Sequence, residues 1–245
     1  RKVVSSAFVL AFLASSATVA AQPRQRGFAL NRYEPSERGS EWFALESLDF
    51  RGTARPAFGV VGDYQYRPLV IYNPKDQVPA PTNSPNDGSV RGSILRNVFT
   101  LNPGISFVLF ERLRLAASLP VVLFQDQGSG VLQLNGVQYA GPKSEQALGD
   151  LRLGLDFRLF GEYNDPFRLA VGAQFWLPTG KAENYTSDEE FRFAPRLMAA
   201  GDIGAFVYAA RLSFNYRKDR TFGPDATGGT PKAFGSEFGF AASAG

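Results

Sequence analysis

Residues Asp150 to Leu159 read DLRLGLDFRL. Leu151, Leu153, Leu155, Phe157 and Leu159 take alternate positions, and Asp150, Arg152, Gly154, Asp156 and Arg158 take the others. Side chains of a β-strand point by turns to opposite faces, so this stretch as a strand has one apolar and one charged face. Wound as a helix, it would mix the two sets around its circumference.

The same alternation recurs on either side. In Arg112 to Leu123 the apolar set is Leu113, Leu115, Ala117, Leu119, Val121 and Leu123, opposite Arg112, Arg114 and Ser118. In Phe167 to Leu177 it is Phe167, Leu169, Val171, Ala173, Phe175 and Leu177, opposite Arg168 and Gln174. In Phe206 to Arg217 it is Phe206, Tyr208, Ala210, Leu212, Phe214 and Tyr216, opposite Arg211, Ser213, Asn215 and Arg217. Weaker copies run through Phe58 to Tyr66, Phe99 to Phe110, Phe191 to Ala200 and Phe234 to Ala244. These eight candidate strands are mostly roughly 9 to 12 residues long, the length a tilted strand needs to cross a bilayer.

The connections carry an independent signal. Phe110 to Arg112, Gly161 to Pro166 and Gly201 to Ala205 are short and mostly rich in Gly, Asn, Asp or Pro. Between them lie Asn73 to Asn97, Gln125 to Gly149, Pro178 to Glu190 and Lys218 to Ala233, long and polar. Strict alternation of long and short connections is the pattern of outer-membrane barrels, with short periplasmic turns and longer external loops. It sets the first strand running outward from the periplasm. A soluble β-sandwich also alternates, with its apolar face inward. Strand length and the recurrence of Phe58, Tyr64, Tyr66, Phe110, Phe167, Phe175, Trp176, Phe206 and Tyr216 near strand ends favour the membrane, where aromatic girdles sit. The expected fold is therefore all-β, an antiparallel transmembrane β-barrel of at least eight strands.

Composition narrows the function. The 245 residues include 25 Gly, 16 Pro and 22 Phe, which disfavours long helices and favours strands. Cysteine and histidine are absent. Disulfides, thiolate zinc sites, cysteine nucleophiles and the usual general base are thereby excluded. Basic residues number 26 against 23 acidic ones, and no basic run offers nucleic acid an electrostatic footprint.

Residues 1–21, RKVVSSAFVLAFLASSATVAA, have the basic, apolar and small-residue regions of a secretory signal peptide, with cleavage expected after Ala21. The apolar core is too short for a membrane-spanning helix. No cysteine follows to carry a lipid anchor. The domain plan is a signal peptide over 1–21, a periplasmic lead-in over 22–56 and the barrel over 57–245. From its residues alone, the lead-in reads equally as a plug or as an extra strand.

The segments GFALNRYEPSERGSEWFALESLDFRG (Gly27 to Gly52), RPAFGVVGDYQYRPLVIY (Arg55 to Tyr72), ALGDLRLGLDFRLFGEYNDPFRLAVGAQFWLPTG (Ala147 to Gly180) and AAGDIGAFVYAARLSF (Ala199 to Phe214) together resemble OmpA-family outer-membrane proteins of myxobacterial type. The resemblance covers nearly the whole chain after residue 21 and rests on no single short motif. It implies a Gram-negative cell envelope, outer-membrane lipid as partner, and a barrel with more strands than the eight seen here, cut short at its C-terminus. It also implies peptidoglycan as a partner, through a C-terminal domain with no counterpart in this chain.

Chemistry, if any, belongs to the face opposite the apolar one. That face carries Asp63, Arg112, Arg114, Asp150, Arg152, Asp156, Arg158, Arg168, Arg192, Arg196, Arg211, Arg217 and Glu237. An arginine-lined pore would prefer anions. A filled interior would instead pair these charges with one another, as buried charges require. Arg112 and Arg217, near the rim, read as solvated. Asp150 and Asp156 are six residues apart, roughly 20 Å along a strand at about 3.3 Å per residue, too far for a two-carboxylate reaction centre. Asp87-Gly88 lacks the oxygen-ligand spacing of a calcium loop. The expectation is a non-enzymatic outer-membrane barrel, structural or a passive porin-like pore, with neither cofactor nor metal. The alternative is a barrel that binds or transports a small hydrophobic or anionic solute.

Overall fold

The computed structural model describes residues 27–72, 90–128, 132–134, 137–222 and 232–245. The signal-peptide expectation for 1–21 and the Asp87-Gly88 turn lie outside them.

The described residues are almost entirely extended. In chain order the strands are β1 (Ala54–Tyr72), β2 (Val90–Leu109), β3 (Leu113–Ser118), β4 (Val121–Gln127), β5 (Leu132–Leu134), β6 (Val137–Tyr139), β7 (Ala147–Leu148), β8 (Leu151–Phe160), β9 (Arg168–Leu177), β10 (Arg192–Ile203), β11 (Phe206–Asn215), β12 (Arg220–Phe222), β13 (Lys232–Phe234) and β14 (Glu237–Ala244). One 3-10 turn, Ala182–Asn184, interrupts the connection between β9 and β10. β5–β6 and β12–β13 form two small hairpins within the long connections.

The other strands make one antiparallel sheet. β2 pairs with β1 along one edge and with β3 and then β4 along the other. Leu119-Pro120 separates β3 from β4 because proline has no N–H to give the ladder. Gly149 N donates to Pro120 O at 2.8 Å across this break, opposite the matching break between β7 and β8. Taken with their breaks, β3–β4 and β7–β8 are each one bent strand. The wall is then the eight-strand meander read from the sequence, with β1 starting three residues before the expected boundary at 57. The sheet curls into an antiparallel half-barrel, and β1 and β14 do not pair with each other among the described residues.

The faces fall as the alternation requires. Along β8, Leu153, Leu155, Phe157 and Leu159 are exposed while Arg152, Gly154, Asp156 and Arg158 are buried. Leu155 is 43% exposed and its neighbour Asp156 0%. The pattern crosses the ladders: Leu115 pairs with Leu155, Leu197 with Val171 and Leu212, and Leu212 with Phe240, all exposed on the convex side. The convex side is thus apolar, while β8 turns its charged residues to the concave side.

The concave side is filled by residues 27–52. This segment starts at the long-loop end, where Leu30 N donates to Tyr185 O at 3.1 Å. It finishes at the short-turn end, where Asp49 accepts from Arg51 and Arg55. Of the readings open for the lead-in, the geometry is that of a plug. Two apolar clusters bracket it. Leu45, Leu48 and Phe50 pack on Val108, Ala170, Met198, Ala200 and Ala209 near the short turns. Ile94, Leu95, Val98, Val122, Tyr139 and Tyr185 cluster near the long loops, with Leu30 against them.

Candidate functional site: a plugged, arginine-lined interior

Between the two apolar clusters lies a layer of buried charge. Arg114, Arg152 and Arg196 come from β3, β8 and β10, Asp156 from β8, and Glu37 and Glu46 from the plug. Asp156 is the hub on the wall. Its Oδ2 accepts from Arg114 Nη2 and Arg196 Nη2, each at 2.7 Å, and its Oδ1 accepts from Arg196 Nε at 2.9 Å. Glu46 Oε2 lies 2.6 Å from Arg114 Nη2, and its Oε1 accepts from Glu37 N at 2.8 Å. Glu37 reaches Arg152 at 3.3 Å and Arg196 at 3.2 Å, and accepts from Gln174 Nε2 at 2.9 Å. Three cations face three carboxylates, and two of those carboxylates belong to the plug.

This balance holds because burial makes an unpaired charge costly. Burial alone would push the Glu37 carboxyl up. Arg152, Arg196 and Arg114, with the hydrogen bond from Gln174, outweigh it and hold the group at about 2, below its ordinary 4.5. Asp49 at the lower end behaves alike: burial opposes ionisation, and the hydrogen bonds from Arg51 and Arg55 win and lower its pKa.

The remaining expected lining residues also face the concave side, in separate groups. Asp63 accepts from Asn31 and Gln65. Asp150 accepts from Gly180 N at 3.2 Å and from Arg192 at 3.4 Å. Arg168 pairs with Asp202 at 2.7 Å, and Arg158 is buried on the same face. Glu237 meets Arg32 of the plug at 2.8 Å, half exposed. Arg211 faces a groove of about 460 Å³ between the plug and β11–β14, lined also by Arg32, Glu34, Ser213, Asn215 and Glu237.

Two expectations need correction. Arg217 is not a solvated rim residue: it is buried and bonded to Asp188, because the connection 178–191 folds inward over the long-loop end. Asp188 also accepts from Ala29 N at 3.0 Å, and Asn184 Oδ1 accepts from the N–H groups of Lys143 and Ser144. Trp176 is not a girdle residue. It falls on the concave face, with the Arg192 guanidinium 4.9 Å from its ring centroid. Arg112, by contrast, is exposed in its turn.

Sequence reading missed Glu37, Glu46 and Arg38. Arg38 donates to Ser36 O at 3.0 Å and Gly59 O at 3.1 Å, and also to Asn102 O, fastening the plug to β1 and β2. The signal for the two acids was indirect. The period-two face shows nine arginines against four carboxylates, a deficit that a buried surface must fill from elsewhere. Among the described residues no group of His, Cys, Asp and Glu is arranged to hold a metal ion. Neither a protein-family model nor a curated protein matches this chain.

Proposed function

We propose that the protein is a non-enzymatic outer-membrane β-barrel, structural in role, whose lumen is kept shut by its own N-terminal segment. One observation carries this reading: the inversion of burial along β8, continued by exposed apolar residues on the convex face of its neighbours. A surface of Leu, Phe, Val and Ile held outward, over an interior of paired arginine and carboxylate, is stable against lipid and unfavourable against water. Aromatic side chains border that surface at both ends. Phe110, Phe160, Phe167 and Phe206 lie by the short turns, and Tyr64, Tyr66, Phe191 and Tyr216 lie by the long loops; all are exposed. Among the described residues no helix is long and apolar enough to cross a membrane. The resemblance to OmpA-family proteins points to the same location.

A passive pore fits less well than a structural barrel, since the charged layer joins plug to wall on several strands at once. The second reading, a solute-binding barrel, draws on the groove of about 460 Å³ beside Arg211. The test is reconstitution of the chain without residues 1–21 into liposomes. The proposal expects co-flotation with the vesicles, heat-modifiable migration of the folded form, and ion conductance close to that of bare lipid. A protein that stays soluble and monomeric without detergent would overturn it.

A further inference from the structure

Two of the three arginines of the charged layer are not saturated by the plug. Arg152 Nε and Arg196 Nη1 are buried with no hydrogen-bond acceptor, although the side chains that carry them are 4% and 1% exposed. Removal of Glu37 and Glu46 would leave Arg114, Arg152 and Arg196 around a single carboxylate, Asp156. An open groove runs along β11 and β14, and one of its lining residues, Ser213, pairs in register with Arg196. At its wall stands Arg211, which makes no ion pair or side-chain hydrogen bond among the described residues. Met198 of β10 pairs in register with Arg211, two residues along the strand from Arg196.

We propose that Arg114, Arg152 and Arg196, with Arg211 at the approach, form a binding site for a small dianion, and that Glu37 and Glu46 occupy it as an internal stand-in. Planar guanidinium groups converging from three strands match carboxylate or phosphate oxygens, which accept in pairs. The two plug carboxylates show how two anionic groups are accommodated at once. A free dianion reaching the groove would compete with them, and the plug would loosen as the dianion bound, because both occupants need the same donors. The plug is then a gate read out by solute. For solute access the proposal rests on the barrel reading above.

The chain has no cysteine, so Ser47→Cys, at a plug position 1% exposed, puts the sole thiol behind the gate. Its labelling by a hydrophilic maleimide would be timed on the full chain in detergent micelles, in succinate, in sodium phosphate and in sodium chloride of equal ionic strength. Succinate or phosphate should speed labelling about tenfold over chloride, and the faster of the two names the dianion. Adding Arg152→Gln should abolish the difference between dianion and chloride. Equal rates in all three salts would overturn the proposal, whether fast, meaning simple charge screening, or slow, meaning a permanent plug. Ser36→Cys, buried in the upper part of the plug, reports the same opening if Ser47→Cys loosens the fold by itself. Liposome flotation of the same samples judges the barrel reading separately, so the failure of one is not mistaken for the failure of the other.

Discussion

At the residue scale the molecule turns on Glu37. Its carboxylate joins arginines of two strands, and removing it leaves Arg152 and Arg196 buried beside vacant space. Breaking a buried pair by deleting one partner costs about 3–5 kcal/mol. Glu37→Ala should therefore lose that much stability by urea titration in detergent, and Glu37→Gln less, since the amide can still accept from Gln174. The same group sets an acid limit. Its pKa is lowered on folding, from 4.5 to about 2, so the stabilisation it gives is complete above pH 4.5 and lost as the pH falls toward 2. At about 1.4 kcal/mol per tenfold change in proton affinity this amounts to roughly 3 kcal/mol. The chain has two tryptophans, and with Trp176→Phe the plug residue Trp42 alone reports. Its emission should shift on acidification across that window, and a flat profile from pH 5 to 2 would remove Glu37 from the latch. Gly172 has a related role from the wall: a Cβ there would meet Asp156 Oδ1 at 2.0 Å and Leu155 O at 2.7 Å. Gly172→Ala should displace the hub carboxylate and cost about 1–3 kcal/mol, the usual price of overpacking.

At the element scale, the strands were legible and the plug was not, for one reason. A strand with an exposed apolar face on one side and buried charge on the other must alternate, and β8 shows this residue by residue from Leu151 to Arg158. Residues 27–52 have no outward apolar face and no ladder to keep, so no period marks them. Their glutamates look like those of any polar loop until the arginines opposite are counted. The bend at Leu119-Pro120 was hidden because the alternation of apolar residues continues through it, and the one at Gly149-Asp150 because Ala147-Leu148 fell within an expected long connection. Trp176 was misplaced for a different reason: aromatic residues suit a girdle, but its even number puts it on the face of Arg168 and Gln174. Two element predictions follow from the wall. Leu155→Arg puts a charge at mid-height on the convex face of β8, which should cost about 2–4 kcal/mol in a bilayer. Full stability of that variant in liposomes would mean that the face does not meet lipid. The β2–β3 turn carries Phe110 and Glu111 at φ of 52° and 56°, left-handed conformations that favour glycine or asparagine. Glu111→Gly should therefore stabilise the hairpin by about 1 kcal/mol, visible as a higher urea midpoint.

At the scale of the whole molecule, the plug and the open edges belong to one problem. A barrel closed by eight strands has an interior wide enough only for side chains, yet this wall holds a length of backbone as well. The plug touches both edge strands from inside: a Cβ on Gly39 would lie 3.2 Å from Ala57 on β1, and Trp42 lies against Gly245 beyond β14. β1 and β14 are thus both in contact with the plug, and they do not pair with each other among the described residues. Unpaired N–H and C=O groups are not tolerated in hydrocarbon, so on the barrel reading these two edges must find partners in a bilayer, either each other or other strands. Cysteines placed at Phe58, Val60 or Tyr64 on β1 and at Phe238 or Phe240 on β14 test this in the reconstituted protein. Oxidation should give no cross-link within one chain while Glu37 and Glu46 hold the plug. Efficient intrachain cross-linking would mean that the wall closes on itself at eight strands, with the plug expelled and the arginine layer open to solvent.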